Sequence, residues 1–138
     1  MPFGLHDPDG KLLQDFKAAG IYGVVLLAEL EECREKTGRD LMAVYRAEGI
    51  TVFPFPICNY GIPSNGGLVD LLKKASDHAA QGHNLLIHCS AGLGRTALVA
   101  ALLAKHVLGL SGAESIDWLG QHQPGALLTP AQIMLVLE

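Results

Sequence analysis

One stretch of this sequence combines a thiol, a guanidinium, a hydroxyl and a glycine-rich turn: His88-Cys89-Ser90-Ala91-Gly92-Leu93-Gly94-Arg95-Thr96. A strand that runs through such a turn into a helix leaves a row of backbone N–H groups without intrahelical partners. Ser90, Ala91, Gly92, Leu93 and Gly94 are therefore expected to form a nest at the positive end of a helix dipole, suited to phosphate, sulfate or a similar oxyanion. Gly92 and Gly94 would permit positive φ angles and close backbone approach. Arg95 adds a planar fork for two phosphoryl oxygens. Cys89 falls at the floor of this cradle, where helix N-termini and cations lower a cysteine pKa from about 8.5 to about 3.5–7.5. Attack of the thiolate on phosphorus gives a phosphocysteine that water later hydrolyses, which divides one difficult step into two. The competing reading is a strand end, a turn and a helix start around a small buried thiol. The conjunction His-Cys-x5-Arg-Thr favours the chemistry.

The elements that must position this loop follow from hydrophobic periodicity. Residues 84–88 place Leu85, Leu86 and Ile87 in succession, as expected of a central strand covered on both faces. The helix after the loop, residues 95–108, is apolar almost all round and should be buried. Upstream, helices are expected over residues 9–19, 29–37 and 40–48, with strands over residues 21–28 and 50–55. A surface helix follows at residues 64–81, where Leu68, Leu71, Leu72 and Ala75 share a stripe. Two more helices, about 112–119 and 129–137, finish the chain. Strands alternating with helices argue for a largely parallel sheet with helices on both sides, in which ligands sit at the carboxyl ends of the strands. The Cys89 loop lies at one such end.

The 138 residues, 49% hydrophobic and 17% charged, suit one domain over residues 1–138 with its own core. A net charge of -4 gives no overall pull toward nucleic acid or an anionic membrane. The apolar stretch at residues 97–104 falls well short of the ~18 residues of a membrane span. The first residues lack the basic and apolar pattern of a secretory signal. Three cysteines at irregular spacing argue against a disulfide framework and for a reducing, cytoplasmic compartment. Those cysteines and the six scattered histidines have no metal-ligand spacing, so no zinc site is expected.

The Cys89 loop resembles the signature of the protein tyrosine phosphatase superfamily. Its Ala-Gly-Leu-Gly-Arg-Thr interior, with the later Pro124-Gly125-Ala126-Leu127-Leu128-Thr129-Pro130-Ala131-Gln132, is most similar to the compact dual-specificity branch that includes the KAP-like cell-cycle phosphatases. The resemblance implies a single α/β domain with a mainly parallel sheet of four to five strands flanked by helices on both faces. It implies phosphorylated protein or peptide as substrate and a monomer without cofactor. By position, Cys89 matches the nucleophile, Arg95 the phosphate clamp, Thr96 the hydroxyl that eases thiolate departure, and His88 the residue that fixes the loop and tunes the cysteine. Gln132 matches a glutamine that positions the hydrolytic water in some branches; it also completes a capping box, Thr129-Pro130-Ala131-Gln132, and both roles stay open.

One position departs from the family pattern. Pro56-Ile57-Cys58-Asn59-Tyr60-Gly61-Ile62-Pro63 resembles the loop that carries an aspartate as general acid, and Asn59 stands in the aspartate's place. Asparagine keeps the shape but delivers no proton. Three accounts remain: another group such as His122 or a water serves, the protein is a weak or phosphate-binding member, or Asn59 is a substitution that slows turnover. Cys58 is either a packed side chain or a partner that traps Cys89 on oxidation. Gly120-Gln121-His122-Gln123 lacks the arginines of KAP-like relatives, which argues against polyanionic substrates.

Overall fold

Three short apolar runs make the sheet. The computed structural model describes residues 1–63, 66–90 and 94–138. Strands β1 (Ile21–Leu26), β2 (Thr51–Pro54) and β3 (Asn84–His88) pair in the order β2-β1-β3, all parallel. Val24 faces Val52 on one side and Leu86 on the other. Among the described residues the sheet has three strands, not the four to five expected. The first ten residues, with Pro2, Gly4, Pro8 and Gly10, form turns rather than a further strand, as residues that break ladder pairing should. The central strand is β1, whereas β3, expected at the centre, lies at an edge and is half-buried.

Helices α1 (Lys11–Ala18), α2 (Leu30–Thr37), α3 (Leu41–Ala47), α4 (Leu68–Ala80), α5 (Arg95–Leu108), α6 (Gly112–His122) and α7 (Pro130–Leu137) surround the sheet. Alternation along β1 assigns them to faces. Val24 and Leu26 pack with Leu13 of α1 and with Leu41 and Tyr45 of α3. Val25 and Leu27 pack with Leu71 and Ala75 of α4 and Val99 of α5. A third cluster joins Leu98 and Leu102 of α5 to Leu119 and Val136. No single helix among the described residues is long and apolar enough to cross a membrane.

Local chemistry sets the helix ends that matter for the site. Asp40 accepts from the Met42 and Ala43 N–H groups at the start of α3, and Glu29 with Glu32 forms a capping box on α2. Helix α4 begins at Leu68 because Gly66 and Gly67 before it form a turn; Ser64 and Asn65 lie outside the described residues. Helix α6 runs three residues past the expected end and stops at Gln123 (φ -138°, ψ 75°), which leaves the helical region that a following proline disfavours.

Candidate active site

Strand β3 delivers His88 and Cys89 to the carboxyl edge of the sheet, and α5 begins at Arg95. Thr96, in the first turn of α5, donates from Oγ1 to Cys89 Sγ at 3.1 Å. That bond goes to the atom that would carry negative charge as a thiolate. Cys89 is buried, and the residues Ala91, Gly92 and Leu93 of the expected anion nest lie outside the described residues. Gly94 does not use the positive φ expected of it: its φ is -118°, and among the described residues a Cβ there would meet the Leu127 carbonyl at an ordinary 3.7 Å.

Arg95 is 2% exposed. A buried guanidinium needs a counter-charge, and Glu32 of α2 provides it end-on, Oε1 to Nη1 at 2.8 Å and Oε2 to Nη2 at 2.7 Å. The Ile57 carbonyl accepts a second bond from Nη1 at 3.0 Å. These contacts use three of the five N–H donors of the fork. The buried Nε–H, without a hydrogen-bond partner among the described residues, and one Nη2–H remain on the other edge of the plane. An arginine held this way presents its side edge as a ready pair of donors for two oxygens. The hydrogen bond from Arg95 holds the Glu32 carboxyl below the usual carboxylate range, and the same bond raises the Arg95 guanidinium.

His88 is locked from both sides. Its Nδ1 lies 2.9 Å from the Cys89 carbonyl oxygen and its Nε2 lies 2.7 Å from the Tyr45 hydroxyl. A carbonyl only accepts, so Nδ1 carries the proton and Nε2 of the neutral ring accepts from Tyr45. Burial pushes the His88 pKa down, which keeps the ring neutral, and burial pushes the Tyr45 phenol up.

A pocket of about 200 Å³ opens over Cys89, Ser90 and Arg95, walled by Lys36, Asn59, Tyr60 and Leu127. The structure thus brings Asn59 to the same cavity as Cys89. Gly61 donates to the Cys58 carbonyl at 2.8 Å, closing a tight turn in which Tyr60 takes a left-handed φ of 62°. Gln132 is not among the described residues of the pocket wall. It is fully buried, completes the capping box of α7 with Thr129, and donates from Nε2 to the Gly61 carbonyl at 2.9 Å, so it anchors the Asn59 turn from behind. His122, considered as a substitute acid, stacks on Trp118 at 4.5 Å and bonds its carbonyl; it is absent from the described pocket wall. Cys33, Cys58 and Cys89 form no disulfide. Among the described residues no three His, Cys, Asp or Glu side chains form a metal site.

Sequence reading missed Glu32, Lys36, Tyr45 and Tyr60. Nothing in the run Glu29 to Lys36, with four glutamates, singles out the one that meets Arg95. For Tyr45 there was a signal: a tyrosine on the buried face of α3 needs a partner for its hydroxyl.

The family model described as cyclin-dependent kinase inhibitor 3 (CDKN3) matches residues 9–116, which takes in the pocket walls up to α6. The chain belongs to the cyclin-dependent kinase inhibitor 3 family. That places it in the dual-specificity cysteine phosphatase superfamily, as the Cys89 loop indicated. Cyclin-dependent kinase inhibitor 3 of Rattus norvegicus is 29% identical over 107 residues, covering 77% of this chain and 50% of that protein. The chain spans about half the length of the curated relatives of this family that it matches. Among solved structures, kinase associated phosphatase (KAP) with its catalytic-site cysteine replaced by serine is similar with a TM-score of 0.81 and 26% identity, over 89% of this chain and 70% of that one. The active form of Tk-PTP is similar with a TM-score of 0.78 and 27% identity, over 99% of this chain and 84% of that one. The phosphatase fold of the family is therefore shared across the whole three-stranded core.

Proposed function

We propose that this chain hydrolyses phosphotyrosine monoesters in proteins or peptides, with phosphoserine and phosphothreonine as further substrates, through a phosphocysteine on Cys89. The reading rests on one arrangement: a sulfur that accepts from Thr96 beside a buried guanidinium that interacts with that sulfur and whose Nε has no described hydrogen-bond partner. A phosphoryl group over Cys89 would take two hydrogen bonds from Nε and Nη2 of Arg95, and the sulfur would attack phosphorus in line. The P–O bond to the substrate breaks as the S–P bond forms. When water then displaces the sulfur, the Thr96 hydroxyl stabilises the departing thiolate. Neutral His88 holds the Cys89 carbonyl and so fixes the backbone at the nucleophile.

Support for phosphoprotein as the substrate comes from the family relatives and from a pocket rim with few cations: Lys36 is the one lysine among its described wall residues. A nucleophilic thiol survives best in a reducing setting, which fits a cytoplasmic monomer. The second reading, a module that binds phosphorylated partners without turnover, is favoured by Asn59 on the pocket wall. Assay with p-nitrophenyl phosphate separates them. The phosphatase reading expects turnover that Cys89→Ser abolishes; no Cys89-dependent turnover in either the parent or Asn59→Asp leaves only the binding module.

A further inference from the structure

No carboxylic acid is among the described residues of the pocket wall, yet an oxygen leaving group with a high pKa needs a proton. Among the described wall residues the side chains bearing acidic protons are Lys36, Tyr60, Cys89 and Arg95. Cys89 is spent as the nucleophile. Arg95 does not release a proton in proteins. The nearby Glu32 carboxylate is turned onto Arg95 and held ionised by it. Tyr60 stands 76% exposed at the rim, with no described hydrogen bond to aim its hydroxyl.

Lys36 is placed differently. It comes from the last turn of α2, donates from Nζ to Ser90 Oγ, and lies 3.7 Å from Glu32 Oε2. Ser90 directly follows the nucleophile, so the ammonium is tethered to the loop over which phosphate would sit. Among the described residues Nζ has a hydrogen bond to Ser90 and an ion pair with Glu32, which leaves it donor capacity for an oxygen in the pocket. With 48% of its side chain exposed, it forms a partly solvated stretch of the pocket wall, together with Asn59 and Tyr60.

We propose that Lys36 is the proton donor to the leaving oxygen, taking the role that Asn59 cannot fill; the inference rests on the phosphatase reading above. As Cys89 Sγ bonds to phosphorus, the P–O bond breaks, its electron pair stays on oxygen, and that oxygen takes a proton from Lys36 Nζ. The resulting neutral amine then takes a proton from the water that attacks the phosphocysteine. The S–P bond breaks, sulfur leaves as thiolate with the electron pair, phosphate is released and the ammonium is restored.

Two substrates with different leaving groups test this. Nitrophenoxide leaves with little help, whereas phenoxide needs the proton. Lys36→Met should lower kcat on phenyl phosphate by about 10²–10⁴-fold, the usual contribution of a positioned acid, and p-nitrophenyl phosphate by at least tenfold less. Lys36→Arg keeps the charge without a transferable proton and should show the same selective loss. Circular dichroism and thermal unfolding report that each variant is folded. Equal losses on both substrates, full activity of Lys36→Arg on phenyl phosphate, or a selective loss in Tyr60→Phe instead would overturn the assignment. Those outcomes leave Cys89-dependent turnover intact and refute Lys36 alone. A parent without turnover, or turnover that survives Cys89→Ser, refutes the phosphatase reading and the inference together.

Discussion

Replacing Glu32 by Gln takes one charge out of the least hydrated ion pair in the described chain while keeping the side chain's shape. Arg95 is 2% exposed and Glu32 18%, with two bonds of 2.7 and 2.8 Å between them. In Glu32→Gln the amide oxygen still accepts from one Nη, but the amide NH2 faces the other Nη donor to donor. Breaking a buried pair from one side costs about 3–5 kcal/mol; the partial hydration of Glu32 and the surviving acceptor put this case at about 3 kcal/mol. For a chain of this length each kcal/mol moves the melting temperature about 3–5 °C, so a fall of roughly 10–15 °C is expected. Calorimetry at neutral pH measures it. The pH dependence gives an independent check. Arg95 depresses the folded-state pKa of Glu32 from its ordinary 4.5, so the unfolded chain binds the proton first as pH falls. The stabilisation is complete above that value and is lost as pH drops through the depressed one, so the gap between parent and variant should close only in acid. The same substitution frees the guanidinium to turn, and a misplaced clamp should lower kcat on p-nitrophenyl phosphate by about 10²-fold. If Glu32→Gln behaves like an exposed substitution, within about 0.5 kcal/mol of the parent at neutral pH, the pair does not hold Arg95 and the argument fails.

Removing the hydroxyl in Tyr45→Phe leaves His88 Nε2 without a donor in a buried setting and should cost about 1–3 kcal/mol by urea unfolding. Because burial depresses the His88 pKa below its ordinary 6.5, the unfolded chain protonates first; stability should therefore fall as pH is lowered through that value, and the His88→Asn variant should show a smaller fall. Gln132→Ala loses the cap on Thr129 and orphans the Gly61 carbonyl, for a cost of about 2–3 kcal/mol. Hydrogen exchange should show faster opening of the turn at Asn59, Tyr60 and Gly61 in that variant; unchanged exchange there would mean Gln132 caps α7 and does nothing more.

The parts of the site legible in the sequence were those written within a few consecutive residues. His88, Cys89, Arg95 and Thr96 fall within nine consecutive residues that join strand β3 to helix α5, so their meeting needs no knowledge of how distant segments pack. Helix α5 and strand β3 were likewise readable from local apolar patterning, as was the capping box at Thr129 and Gln132. The strand count and the edge position of β3 were not, because periodicity says that a run is buried without saying which strands flank it.

What tertiary structure alone decided lies between residues far apart along the chain. Glu32 reaches Arg95 across 63 positions, Lys36 reaches Ser90 across 54, Tyr45 reaches His88 across 43, and Gln132 reaches Gly61 across 71. Each is a polar contact whose partner is chosen by where parallel crossovers lay α2, α3 and α7 against the loop ends of the sheet. A hydrophobic pattern with the period of a helix specifies which face turns inward. It carries no information on which buried cation or carbonyl waits there.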